Sequence, residues 1–116
     1  MYQKKHVKCS HLIAIYVFSN NIVYFDSFGV QCYVHSICEY LQKYDRKIIQ
    51  SLVTIQHPLS LHCAYFCIGF ILAVEIDLTL SLYQQMFNSV HLLQNDEMVC
   101  DFMVKILEMK KIILIF

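Results

Sequence analysis

Tryptophan is absent from this chain of 116 residues, glycine occurs twice and proline once. So few chain breakers exclude a Pro/Gly-rich linker, and no internal repeat or low-complexity run is present either. Charge is scarce too. Charged residues make up 16%, and nine basic side chains cancel nine acidic ones. That balance excludes the net field that draws a protein toward nucleic acid or acidic lipid. Long hydrophobic runs are missing: the longest, Cys63 to Val74, is closed by Glu75 and Asp77, short of the ~18 residues a bilayer span requires. A buried core helix is expected there, and no membrane partner. No secretory signal is expected, because His11 and Ser19-Asn20-Asn21 interrupt the apolar run that follows Lys4, Lys5 and Lys8, and no small-residue cleavage site follows. The cysteines at 9, 32, 38, 63, 67 and 100 include no Cys-x2-Cys pair. Without a secretion signal this argues for reduced thiols in an intracellular setting rather than a disulfide framework.

What remains is apolar. Hydrophobic residues reach 58%, enough to exclude disorder, and the length suits one core, so residues 1–116 are expected to form a single α+β domain. His11 to Phe18 is apolar on both faces, as a strand in the middle of a sheet would be. Ser19-Asn20-Asn21 reads as a turn leading into a second strand, Ile22 to Phe25, because asparagine tolerates the backbone of tight hairpins. Gly29 closes the exit of that strand. Val30, Tyr33, Val34, Ile37, Leu41 and Tyr44 fall at helical spacing, with Glu39, Lys43 and Asp45 on the opposite face. Lys47 to Ile55 is strand-like until His57-Pro58-Leu59 breaks it. Ser60 is placed to cap the helix that holds Cys63. A last amphipathic helix is expected from Asn95 or Asp96, burying Met98, Val99, Phe102, Met103, Ile106 and Leu107. The tail Ile112 to Phe116 suits an added strand. Small sheet and helices together point to a mainly antiparallel sheet packed by helices.

The segment Gln56-His57-Pro58-Leu59-Ser60-Leu61-His62-Cys63-Ala64-Tyr65-Phe66-Cys67 is the most specific in the chain. It resembles the active-site motif of the adenovirus-type, adenain-like cysteine proteases, in which a glutamine precedes the nucleophile by seven positions, with proline and serine between and an aromatic and a second cysteine after it. Gln56, Pro58, Ser60, Cys63, Phe66 and Cys67 match. Upstream, Asp26-Ser27-Phe28-Gly29 is similar to that family's acidic residue followed by Phe-Gly, and His11 stands before a strand, as the family's histidine does. Downstream, Asn95-Asp96-Glu97-Met98-Val99 ahead of Phe102 resembles the last helix of related proteases from Maverick/Polinton elements and large DNA viruses. The resemblance covers about residues 11 to 107, and the family's segment upstream of the histidine is expected to be missing. It implies the adenain/SUMO-protease-like fold and a cysteine endopeptidase acting on viral or mobile-element polyprotein or capsid precursors, in host cytoplasm, nucleus or virion. In that reading Cys63 is the nucleophile, His11 its base, Asp26 the orienting acid and Gln56 an oxyanion donor.

Elementary chemistry supports the same four residues. A helix start beside a histidine lowers a cysteine's pKa from about 8.5 toward ~3.5–7.5 and supplies the attacking thiolate. Backbone N–H groups there, with the Gln56 amide, suit the charge that develops on a scissile carbonyl oxygen. If the hairpin turns at Ser19-Asn20, His11 faces Phe28 and Asp26 is its diagonal neighbour, roughly 7–8 Å away along one face. A turn at Asn20-Asn21 adds two residues of offset and separates them.

Each of these residues also has a plainer reading. Cys63 alone would be core, since free cysteine is among the most buried residue types. His57 and His62 are alternative bases, and Asp26 also suits the start of the turn at Ser27-Phe28-Gly29. Cys67 is expected to pack rather than react. Cys32, His35 and Cys38 lack the paired spacing of zinc modules, so neither metal nor cofactor is expected. Ala64 and Leu12 depart from the family's glycine after the nucleophile and tryptophan after the histidine, and both are expected to weaken substrate binding. The family's stimulation by DNA is not carried over to a chain of zero net charge, and no cysteine can be assigned to a peptide activator. Three other readings are kept: a deconjugating protease for ubiquitin-like modifiers, disfavoured by the long Gln56–Cys63 spacing and by His62-Cys63-Ala64; an inactive, truncated peptide-binding remnant; and, remotely, a membrane-associated structural protein.

Overall fold

A computed structural model of the protein describes residues 11–111. Three strands and four helices follow one another as β1 (Ala14–Val17), β2 (Asn21–Phe25), α1 (His35–Gln42), β3 (Lys47–Gln50), α2 (Cys63–Glu75), α3 (Leu80–Gln85) and α4 (Gln94–Lys110). The fold is α+β. The sheet order is β1-β2-β3, with β1 and β2 antiparallel and β2 and β3 parallel. The sheet is therefore mixed rather than mainly antiparallel. The connection from β2 to β3 runs through α1, and a crossover of that length delivers the second strand in the same direction as the first.

The sheet separates two cores, and strand alternation divides its apolar core residues between them. Ala14, Tyr16, Val23, Phe25 and Ile49 face the larger core, with Phe66, Phe70, Ala73, Tyr83, Phe87 and Val99 from the helices. Ile13, Ile15, Ile22, Tyr24 and Ile48 face a smaller one, closed by Leu41, Ile37 and Tyr44 around α1. Both faces of β1 are apolar because helices cover both, so the chain pattern is that of a central strand although β1 lies at the edge and β2 is central. The hairpin turns at Ser19-Asn20, where Phe18 N–H donates to Asn21 O at 2.8 Å. Its register pairs Ala14 with Phe25 and Val17 with Ile22. Extended outward, the same register sets His11 opposite Phe28.

Helix α1 begins at His35, not Val30. Val30 and Tyr33 are exposed, and Val30–Val34 is an irregular connector whose Cys32 N–H donates to Gln50 Oε1 at 2.8 Å. Beyond Gln50 the predicted third strand leaves the ladder: Leu52 and Val53 point to solvent, while Ile55 and Gln56 N–H both return to Ser27 O. This detour passes over Gly29. With φ at +74° and a Cβ position 2.8 Å from the Val53 carbonyl carbon, Gly29 is required both by its backbone and by the neighbour above it.

Helix α2 is apolar all round because it lies between the sheet and the other helices. Tyr83 of α3 stands at the centre of this layer, fully buried, its hydroxyl donating to Phe66 O at 2.8 Å. Helix α3 carries no long apolar period; Thr79 starts it, its hydroxyl accepting from Leu82 N–H at 3.1 Å. Helix α4 buries Val99, Met103 and Ile106 as its spacing predicts and packs Phe102 on the core, but Met98 is 36% exposed. The predicted strand at 112–116 lies outside the described residues. Among the described residues no helix is long and apolar enough to cross a membrane.

Candidate active site

The ladder of β1 and β2 ends at Ala14 and Phe25, and the two chains continue past it as His11–Ile13 and Asp26–Gly29. Asp26 opens a turn: its carbonyl accepts from Gly29 N–H at 2.9 Å and its Oδ1 from Phe28 N–H at 2.8 Å. The same Oδ1 meets His11 Nε2 at 2.8 Å. Turn formation and histidine pairing thus coexist in one buried carboxylate, 3% exposed. The His11 ring also lies over Phe28, centroids 4.7 Å apart. Asp26 Oδ1 accepts only if Nε2 carries the proton, so Nδ1 is left as the basic nitrogen.

Cys63 is the first residue of α2 and is 8% exposed. The α2 ladder begins with Phe66 N–H donating to His62 O at 3.0 Å. The N–H groups before it point out of the helix start, where they and the helix dipole favour negative charge. One turn later, the Cys67 thiol donates to Leu12 O at 3.4 Å, tying α2 to the residue next to His11. Burial, then the charges of Cys63 and Asp26, push the Cys67 thiol up to about 12. Cys67 is thus a protonated packing thiol, and Cys63, Cys67 and Asp26 share one neighbourhood.

Gln56 differs from the expected oxyanion donor. It has no exposure; its Oε1 accepts from the Ser27 hydroxyl, and its Nε2 donates to Ser60 O at 3.0 Å and less directly to Ser60 Oγ at 3.4 Å. A flipped amide would set its oxygen against the Ser60 carbonyl, so the network fixes the orientation. The amide braces the loop ahead of Cys63 against the Asp26 turn. Ser60 does not occupy the cap position, which belongs to His62; its Oγ accepts from His62 N–H at 3.1 Å and donates to Asp96 Oδ1 at 2.8 Å.

The alternative bases are both engaged. His57 Nδ1 accepts from Leu59 N–H at 3.0 Å, inside its own loop. His62 Nδ1 lies 3.4 Å from Asp96 Oδ2, and its ring packs on Tyr65. Asp96, Ser27 and Phe28 are site neighbours: Asp96 and Ser27 stood in quoted motifs and Phe28 was placed opposite His11, but sequence alone assigned none of the three a role in the site. Asn95 is another. Fully buried, it donates to Ile55 O and Asn88 O and accepts from Asn88 N–H, so it anchors the loop that carries Gln56. Among the described residues no three His, Cys, Asp or Glu side chains form a metal-binding group.

Compared with protein-family models, curated proteins and solved structures, the chain matches none.

Proposed function

We propose that the protein is a cysteine endopeptidase of the adenain-like type, with Cys63, His11 and Asp26 as its triad. The observation that carries this reading is the 2.8 Å contact between His11 Nε2 and the buried Asp26 carboxylate, because it commits Nε2 to the acid and leaves Nδ1 as the basic nitrogen, the tautomer a thiol base requires. His11 Nδ1 takes the proton of the Cys63 thiol, and the thiolate attacks the scissile carbonyl carbon. Backbone N–H groups at the start of α2 receive the developing oxyanion. His11 then gives its proton to the leaving amine, and a water activated by the same nitrogen hydrolyses the thioester. Asp26 keeps the ring oriented and stabilises its charged form without taking the proton. Gln56 is a positioning residue, holding the loop ahead of Cys63. Viral or mobile-element polyprotein and capsid precursors are the substrate class that the Gln56–Cys67 motif implies.

Labelling with an electrophilic peptide probe tests this. Cys63 should react first among the cysteines, and Cys63→Ala should abolish both labelling at that site and all peptide cleavage; cleavage that survives the substitution ends the proposal.

One specific observation favours a second reading, a peptide-binding module without turnover. Gln56 is turned wholly inward and Cys63 is 8% exposed, an arrangement that suits a braced core as well as a reactive site. It requires a peptide to bind the folded chain while Cys63 stays unlabelled.

A further inference from the structure

On the α1 side of the sheet, away from Cys63, two further cysteines meet. Cys32 lies in the irregular connector and Cys38 in the first turns of α1, and their Sγ atoms are 3.1 Å apart. Each sulfur is held from its own side. Cys32 is fixed by its N–H bond to Gln50 Oε1 and packs against Ile22, Tyr24 and Leu41; Cys38 is fixed by the helix, and its thiol also lies 3.8 Å from Cys32 O. Both are half-exposed, so a small oxidant reaches them without unfolding. Closing a disulfide, with S–S about 2.05 Å, requires only about 1 Å of further approach.

We propose that Cys32 and Cys38 form a reversible redox pair that a hydroperoxide converts to a disulfide. With hydrogen peroxide, one thiol gives up its proton and the thiolate attacks a peroxide oxygen; the O–O bond breaks, leaving a sulfenic acid and hydroxide, and the hydroxide takes that proton as a first water. The second sulfur attacks the sulfenic sulfur and expels hydroxide, which takes the remaining thiol proton as a second water. Two thiols lose two electrons and the peroxide gains them. The hydrogen bond between Cys38 and Cys32, followed by burial, raises the Cys38 thiol above its ordinary range, so Cys38 rests as a thiol. The product closes a short ring that pins the connector Val30–Val34 onto α1.

Among the described residues no other pair of cysteines is its equal. Cys63 and Cys67 are one helical turn apart on α2, where Cβ atoms about 5–6 Å apart exceed the ~3.5–4.5 Å of a disulfide. Cys100 is in the outer layer on α4. The pair is also independent of how Cys63 acts.

The test treats the full chain with hydrogen peroxide, blocks remaining thiols, and digests with chymotrypsin without reductant. Cleavage after Tyr33 separates the two cysteines, so the bridge is read as one joined peptide that dithiothreitol splits. The 32–38 peptide should be the first disulfide to appear, and should form at least about tenfold faster in the native protein than in urea, because folding holds the sulfurs together. A 32–38 peptide that is absent, or that forms as fast in urea, overturns the proposal. So does a Cys32→Ser protein in which Cys38 enters another disulfide at the wild-type rate.

Discussion

Two histidine–aspartate pairs flank the start of α2, and they are built differently. His11 and Asp26 meet at 2.8 Å, with the Asp26 side chain 4% exposed and its Oδ1 also held by a backbone N–H. His62 and Asp96 stand 3.4 Å apart, the aspartate 20% exposed and its other oxygen engaged by Ser60. The histidines are equally accessible, at 34% each. What separates the pairs is the acid: one carboxylate is buried and holds both an imidazole and its own turn, while the other is partly exposed and also anchors a loop. A third pair, His35–Glu39, shows the opposite limit, with both partners mostly in water. Proximity alone does not distinguish these pairs; the burial and remaining partners of the acid do.

The sharpest way to break this comparison is to neutralise each acid in turn. Asp26→Asn should reduce kcat/KM for peptide cleavage by about 10⁴-fold, because an amide no longer fixes the His11 tautomer, whereas Asp96→Asn should cost less than about tenfold. Equal losses in a steady-state assay would erase the distinction. The loop that carries the second pair is tested next, by stability. Asn95→Ala leaves Ile55 O, Asn88 O and Asn88 N–H without their partner and should cost about 2–4 kcal/mol in urea unfolding, with the Asp26 end of the sheet intact.

Alkaline pH probes the first pair from beside it. The Cys67 thiol, ordinarily near 9.0, is pushed up to about 12 in the fold. The native protein therefore binds the extra proton between these values, and stability is fully present below about pH 9 and falls toward pH 12 by at most about 1.4 kcal/mol per pH unit. Cys67→Ala should remove that slope in unfolding curves taken across the range; an unchanged slope would assign it elsewhere. The smallest effect belongs to the exposed pair, since His35→Ala should shift thermal stability by no more than about 0.5 kcal/mol.

The legible part of the fold rested on local physics. The apolar run from Cys63 to Val74, between a broken loop and two acids, had one outcome, α2 from Cys63 to Glu75. The hairpin itself was legible, with turns at Ser19-Asn20 and Asn20-Asn21 both open; the structure adopts the first, which sets His11 opposite Phe28 and brings Asp26 within reach of it. Reading failed where tertiary contacts outbid local pattern. Val30 and Tyr33 hold helical spacing but lie in an irregular connector, because Cys32 N–H finds Gln50 rather than a helix partner. Lys47–Ile55 alternates like one strand, yet pairing stops at Gln50 and the chain detours over Gly29 to reach Ser27. Gln56 occupies a motif position, but the direction of its amide depends on Ser27 and Ser60, one of them 29 residues away in the chain.

By itself, then, the amino-acid sequence determined the α+β class, the core helix, the presence of the hairpin and the order His11, Asp26, Gln56, Cys63, since each follows from periodicity or from neighbours a few residues apart. Tertiary structure alone decided that β1 is an edge strand, that β3 runs parallel, that Gln56 faces inward, and that Cys32 meets Cys38 while Asp96 meets His62. Those outcomes turn on which distant groups share one desolvated volume, where every polar atom must find a partner, and no local pattern along the chain encodes that choice.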